Sequence, residues 1–189
     1  MRHVLCKLSL LGLATLLGVI ATPATTLERI SLEGLTMRAD AIVQVECLSN
    51  ESRWERGEIW TFTYFEVHET LKGVVPRLLT VRLPGGKVGH LISSIEAVPR
   101  FSPAEETILF LKRATDGAFT VLSWAQGTFR LQRELHTGRR FVLQDSAALP
   151  VFDKTTRQFR SEGVRRLPLA IFKERIARLI LEASRKEQP

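Results

Sequence analysis

Two cysteines in 189 residues cannot build a disulfide framework. Their placement leaves no pair either: Cys6 precedes an apolar N-terminal run, and Cys47 lies in the strand-like stretch Ile42-Val-Gln-Val-Glu-Cys-Leu48. Histidine is scarce. His3, His68, His90 and His136 are far apart, and neither His-Glu-x-x-His nor a paired-cysteine motif occurs, so no metal site is local in sequence. The Gly-x-Ser-x-Gly elbow of serine hydrolases is missing as well. There is no internal repeat and no low-complexity tract, which removes solenoids and fibrous proteins. The longest apolar run, Leu8 to Ile20, falls short of the ~20 residues a spanning helix needs.

What is present begins with that run. Met1-Arg-His-Val-Leu-Cys-Lys7 is basic, residues 8–20 are apolar, and Ala21-Thr-Pro-Ala24 is small-residue sequence ahead of the first acid, Glu28. This order is that of a signal peptide over residues 1–24, cleaved after Ala24 or Ala21, rather than of an uncleaved anchor. It predicts an exported protein, periplasmic or extracellular. Cleavage would take Arg2 and Lys7 and no acid, lowering the formal charge from +7 by two, and would leave Cys47 as the lone thiol. Burial as a small hydrophobe is the expectation for it, since no histidine nearby marks an activating base. The remaining chain, 44% hydrophobic and 25% charged overall, is ordinary globular sequence. About 150 residues bury enough surface to hold a core without bridges.

Along it, residues 27–39 predict a short helix or turn, and Ala41 to Ser49 a strand. Asn50 to Gly57 reads as a polar hairpin loop. Ile59 to Leu71 is a long strand rich in β-branched and aromatic residues. It carries Trp60, Phe62 and Tyr64 on one face and Thr61, Thr63, Phe65 and Val67 on the other. Large groups on both faces suit a strand bending round a barrel. Leu78 to Leu83 and Glu106 to Lys112 are further strands, and Val88 to Ile95 is a weaker one. Asp116-Gly117 and His136-Thr-Gly138 each mark a hairpin turn. Residues 147–163 read as loop. From Leu167 to Ser184 the spacing of Phe172, Ile176, Leu179, Ile180 and Ala183 predicts an amphipathic helix, with Pro168 in its first turn and Glu174–Arg178 as a favourable i,i+4 pair. The helix is basic enough for a membrane surface, but its stripe is that of a helix packed on its own domain, as a plug or cap over a barrel end. The fold expected is mainly β: a small closed or partly open antiparallel (OB-like) β-barrel over residues 25–146. A short N-terminal helix precedes it, and a loop and C-terminal amphipathic helix over 147–189 pack on it.

Arg82-Leu-Pro-Gly-Gly-Lys-Val-Gly89 looks like half of a phosphate loop. A phosphate loop needs Gly-Lys-Ser/Thr and then a helix, whereas Val88 follows Lys87 and no helix start follows Gly89. A connection between strands is the reading adopted. Aromatics and arginines around residues 53–64 would suit single-stranded nucleic acid, but they are interleaved with Glu51, Glu55, Glu58 and Glu66, and core and rim packing accounts for them better. No nucleic-acid partner, no cofactor and no metal are expected.

Ala39-Asp-Ala-Ile-Val-Gln-Val45, Thr61 to Val67 with Leu71-Lys-Gly73, Thr80 to Gly86, Pro99-Arg-Phe101, Glu105 to Leu111 and Ala125-Gln-Gly127 form an ordered set of segments. The set resembles a family of uncharacterised exported bacterial proteins. It is also similar to the netrin-like modules of the tissue inhibitors of metalloproteinases, which have a five-stranded OB-type barrel. The resemblance covers roughly residues 38–132 and implies an exported binding module and, further, protease inhibition. The inhibitors chelate the protease zinc through an N-terminal cysteine, and no cysteine stands near Thr25-Thr-Leu-Glu28. Fold and compartment are therefore carried over, and inhibitory residues are not. The function expected first is a non-enzymatic module binding a protein or cell-envelope partner, with no catalytic residues. Arg53, Trp54, Arg56 and Trp60 would be its contact residues, because exposed aromatics and arginines concentrate binding energy. An inhibitor or partner of an exported metalloprotease, and an exported hydrolase with a non-local site, are the alternatives. Oligomeric state is not legible.

Overall fold

A computed structural model describes residues 28–161 and 163–186; the signal-peptide segment and both cleavage points lie outside them. The chain is mainly β, with two helices. Helix α1 (Leu32–Arg38) starts at Ser31, whose hydroxyl accepts from the Gly34 N–H at 3.0 Å. It ends where Lys72 Nζ donates to the carbonyls of Thr36, Met37 and Ala39 at 2.7, 3.2 and 2.7 Å.

Strands β1 (Ala41–Glu55) and β2 (Glu58–Lys72) form a long antiparallel hairpin. The polar-loop reading of residues 50–57 is corrected here. Pairing continues to Glu55↔Glu58, and only Arg56 and Gly57, at φ 53° and 86°, make the turn. Two left-handed residues are what a twisted two-residue hairpin requires, and polarity alone did not disclose that the strands ran to the tip. Strand β3 (Leu78–Pro84) pairs with β2, β6 (Glu106–Arg113) with β1, and β7 (Phe119–Val121) with both β6 and, in parallel, β3 at Val81↔Phe119. The order β1-β2-β3-β7-β6 thus returns to β1 as a ring of five strands. From the other edge of β6 the sheet branches through β8 (Thr128–Arg133) and β9 (Arg140–Gln144).

The residues between β3 and β6 hold a hairpin, β4 (Gly86–Val88) and β5 (Leu91–Ser93), in place of one weak strand. The loop expected over 147–163 also contains one, β10 (Val151–Asp153) and β11 (Gln158–Arg160). Strand β12 (Leu167–Pro168) pairs with β9, so Pro168 closes a strand instead of opening helix α2 (Leu169–Lys186).

Two cores follow from strand alternation. Val43, Val45, Phe65, Leu79, Val81, Leu83, Leu109 and Leu111 fill the ring interior together with Cys47, Val98 and Phe101. Ile42, Ile108 and Phe110 point the opposite way and meet Leu35 of α1, Phe129, Val142, and Leu169, Phe172 and Ile176 of α2. This is why Ile108-Leu-Phe-Leu111 is an unbroken apolar run: both faces of β6 are covered. Helix α2 therefore lies on the outer face of the sheet, and none of its residues belongs to the interior cluster a plug would fill. Each of its three buried side chains contributes about 2 kcal/mol. Among the described residues no helix is long and apolar enough to cross a membrane.

Ion pairs fasten the connections. Asp40, between α1 and β1, accepts from the Arg113 N–H at 2.7 Å and from Lys112 Nζ at 2.8 Å, and these bonds hold its carboxyl below the usual aspartate value. Asp153 is lowered likewise by the N–H groups of Thr156 and Thr155 and by Arg29. A carboxyl lowered in the folded state binds fewer protons there than in the unfolded chain. Its stabilisation is therefore complete above the unfolded value and is lost as pH falls through the folded one. We expect the melting temperature to drop below about pH 4. Asp40→Asn should melt lower at neutral pH with a shallower acid limb, and an acid limb as steep as wild type in melts across pH would contradict the assignment.

Candidate partner-binding site

The hairpin β1–β2 decides which predicted contact residues can act together. Cys47 pairs with Phe65, but Ser49 pairs with Tyr64, so Leu48 is an extra residue and a bulge. One inserted residue exchanges the faces of everything beyond it. Past the bulge, Arg53 lies opposite Trp60 and Trp54 opposite Ile59. Arg53 and Trp60 therefore share one face and Trp54 points to the other, while Arg56 stands in the turn. The set Arg53, Trp54, Arg56 and Trp60 is not one surface.

On the first face the guanidinium of Arg53 lies over the Phe62 ring at 3.9 Å, and that of Arg82 over Trp60 at 4.7 Å. Arg82 is held in turn by Asp116 at 2.7 Å. These aromatics are roofed by cations from their own sheet. Trp60 is half-buried, whereas Trp54 is 51% exposed.

On Trp54's side a groove of about 530 Å³ runs between the hairpin tip and β5. Trp54, Ile59, Leu91, Ile92, Ile95 and Trp124 supply its apolar walls. Ile92 is 72% exposed and Leu91 45%. At Ile92 and Ser93 the groove continues into a trough of about 410 Å³ of mixed lining, with Asn50, Ser52, Thr61, Thr63, Lys87 and Arg100 beside Pro99 and Phe101. The trough is well ordered by its own bonds. Ser52 Oγ and Thr61 Oγ1 are 2.9 Å apart, Thr63 Oγ1 donates to Asn50 Oδ1 at 2.7 Å, and Asn50 Nδ2 donates to the Phe101 carbonyl at 2.9 Å. Arg100 reaches Thr61 Oγ1 and the Ser93 carbonyl, both at 3.2 Å.

The glycines of the phosphate-loop-like stretch explain themselves here. Pro84-Gly85-Gly86 links β3 to β4, and no helix follows. Thr61 Oγ1 donates to the Gly85 carbonyl at 2.6 Å. A Cβ on Gly86, where φ is 147°, would stand 2.4 Å from Ser52 Oγ and 2.5 Å from Thr61 Oγ1. Gly86 lets the strand connection lie against the hydroxyls of β1 and β2, and Gly85, at φ 84°, lies against the Ser93 carbonyl and Arg100.

Backbone strain collects at the same place. Ala97, Ser123 and Trp124 all adopt left-handed φ, at 62°, 51° and 51°. Such residues cost about 1–3 kcal/mol each and persist only where neighbours enforce them. Here the Ala125 N–H donates to the Ala97 carbonyl at 2.9 Å, tying both strained segments together. The outcome is that Trp124 packs against the ring interior and also lines the groove. Sequence reasoning missed Trp124, Leu91, Ile92, Ile95 and Arg100. Periodicity is silent on short segments, and a left-handed tryptophan has no local signature.

The other chemically interesting residues have structural partners. Cys47 is buried, and burial pushes its thiol up, away from the nucleophilic thiolate. His68 is on β2 with Nε2 3.6 Å from Glu46, His90 follows β4, and His136 lies between β8 and β9. Among the described residues no three of His, Cys, Asp and Glu are grouped to hold a metal. Gln126 accepts from the Ile30 N–H at 2.8 Å and donates to the Glu28 carbonyl at 2.7 Å. Gln144 donates to the Gln126 carbonyl at 2.6 Å and accepts from the Val164 N–H at 3.1 Å. The two amides join the segments around Ile30 and Val164 to each other and to the sheet.

Comparison with protein-family models, with curated proteins and with solved structures returns no match for this chain.

Proposed function

We propose that this chain is an exported, non-enzymatic OB-type barrel module that binds a protein or cell-envelope partner in the groove between Trp54 and Trp124. The observation that carries the reading is the groove itself. Two tryptophans and three exposed aliphatic residues border a trough that carries ordered hydroxyl and amide groups, and strained backbone holds one of the tryptophans in position. Buried aromatic anchors beside ordered hydrogen-bonding groups are the ingredients of an interface hot spot. The five-stranded ring with its parallel closure supports the barrel, and the resemblance to exported netrin-like modules agrees with it. Export rests on the basic, apolar and small-residue order of residues 1–24.

Capture from envelope extract tests the assignment. Immobilised wild-type protein should retain a partner that Trp54→Ala and Trp124→Ala lose by at least tenfold, the loss of about 2 kcal/mol at a hot-spot aromatic. Trp60→Ala, on the opposite face, should retain it. Equal retention by all three variants, or none by wild type, would reject the groove as the contact surface.

A further inference from the structure

The β8–β9 hairpin carries a second feature, independent of the groove. Its turn runs from Glu134 to Arg139 and is closed by the Gly138 N–H donating to the Glu134 carbonyl at 2.8 Å. Leu135 at its tip is 94% exposed. Around it stand Arg133, Arg139 and Arg140. Arg133 and Arg140 are directly opposite each other in the ladder, a placement of like charges that weakens a hairpin. Arg140 reaches Glu106 at 3.4 Å, whereas among the described residues Arg133 and Arg139 make no direct ion pair, Arg139 only adding to the lowering of the Glu134 carboxyl behind Thr137 and Arg166. Arg166 pairs with Glu134 and lies over the Phe141 ring at 4.4 Å. A shallow depression lined by Arg139, Arg140, Phe141, Leu169, Ala170 and Lys173 joins the hairpin to the start of α2. There Ile171 is 44% exposed, and Arg175 is exposed one turn on.

We infer that this end of the molecule docks on an anionic lipid surface, with Arg133, Arg139 and Arg140 against headgroup phosphates and Leu135 inserted at the acyl boundary. Cations that repel one another within the fold lose that penalty beside fixed anions. An apolar tip amid cations matches the two halves of such a surface in depth order. A dissolved polyanion such as nucleic acid would satisfy the arginines and offer Leu135 nothing. The patch offers one large apolar tip, with Glu134 and Glu106 already taken up by Arg166 and Arg140, which is poor material for the closely packed centre of a protein interface.

Co-sedimentation of the full chain with phosphatidylcholine vesicles, alone and with phosphatidylglycerol mixed in, tests this. The ratio of binding to anionic over neutral vesicles should exceed one and fall with salt. Arg133→Glu with Arg139→Glu should reduce that ratio by more than tenfold, since each arginine is worth about fivefold before reversal of charge is counted. Leu135→Ser should weaken anionic-vesicle binding about tenfold and leave the salt dependence intact. Binding by residues 1–20, whose Arg2 and Lys7 also favour anionic vesicles, is the same in every variant, so each variant's ratio is read against that of wild type. All three positions are exposed, and melting temperatures within error of wild type would show the variants folded. A ratio of one, or a ratio untouched by the arginine changes, overturns the inference. So does duplex DNA held as tightly as vesicles with Leu135→Ser indifferent, which would make the patch a general polyanion site.

Discussion

Replacing Phe129 by alanine is expected to cost about 4 kcal/mol of stability, in the upper part of the range for a buried aromatic. Phe129 is fully buried, with ring centroids 5.2 Å from Phe110 and 4.7 Å from Phe172. It therefore joins β6, β8 and α2. The cost depends on whether the space can close, and at Phe129 the backbone resists closure. Phe129 is paired on both sides, with Ile108 and with Gln144. Just before it, a Cβ on Gly127 would stand 2.1 Å from the Leu122 carbonyl oxygen, so the start of β8 is already wedged against the preceding turn. Phe172→Ala removes the other half of the same contact, from a residue outside the strand ladders, and should cost about 3 kcal/mol. The double variant should fall short of the sum, because both deletions open one cavity. Urea unfolding measures all three. A Phe129→Ala loss below about 1.5 kcal/mol would mean that the second core is loosely packed.

The second large effect is expected at Arg130. Its guanidinium donates to both oxygens of Asp145, at 2.8 and 2.7 Å, to Glu105, and to the Arg100 carbonyl at 2.8 Å, and it lies 4.9 Å over the Phe101 ring. Burial works against its charge, but Asp145 and then Glu105 outweigh burial and hold it above the ordinary arginine value. The residue clamps β8, the turn after β9 and the segment leading into β6. Arg130→Met keeps much of the volume and leaves two partly buried carboxylates without a cation, at a cost of about 3 kcal/mol. The decisive comparison is the triple variant Arg130→Met, Glu105→Gln, Asp145→Asn. With the stranded charges removed, it should recover at least half of the loss. A triple variant less stable than Arg130→Met would show that attraction within the cluster, and not stranded charge, sets the cost.

Much of the fold was legible because it is written in local periodicity. The alternation in β2, the unbroken run in β6, the two hairpin turns, the burial of Cys47, and the 3.6-residue stripe of α2 each follow from side chains a few positions apart. The Pro84-Gly85-Gly86 link was legible for the same reason: a phosphate loop demands a helix directly after it, and the residues after Lys87 are not helical. Where reading failed, the missing information was not local. Arg53, Trp54, Arg56 and Trp60 look like one patch by position and by composition. The bulge at Leu48 puts Trp54 on the other face from Trp60, and it shows only in the pairing of β1 with β2. Residues 88–95 read as one weak strand, because β4 and β5 are each too short for their hairpin to show in periodicity.

The sequence by itself determined that the described chain is mainly β with a short helix before and an amphipathic helix after, because burial of alternating or helically spaced side chains leaves few other arrangements. Tertiary structure alone decided which of these side chains meet. It closed five strands into a ring, laid α2 on the outer face of the sheet, and brought Trp124 from a strained turn to within the same groove as Trp54, 70 residues earlier in the chain. Contacts between distant segments depend on register and on the enforced left-handed backbone at Ser123 and Trp124, and neither leaves a periodic trace in the residues that carry it.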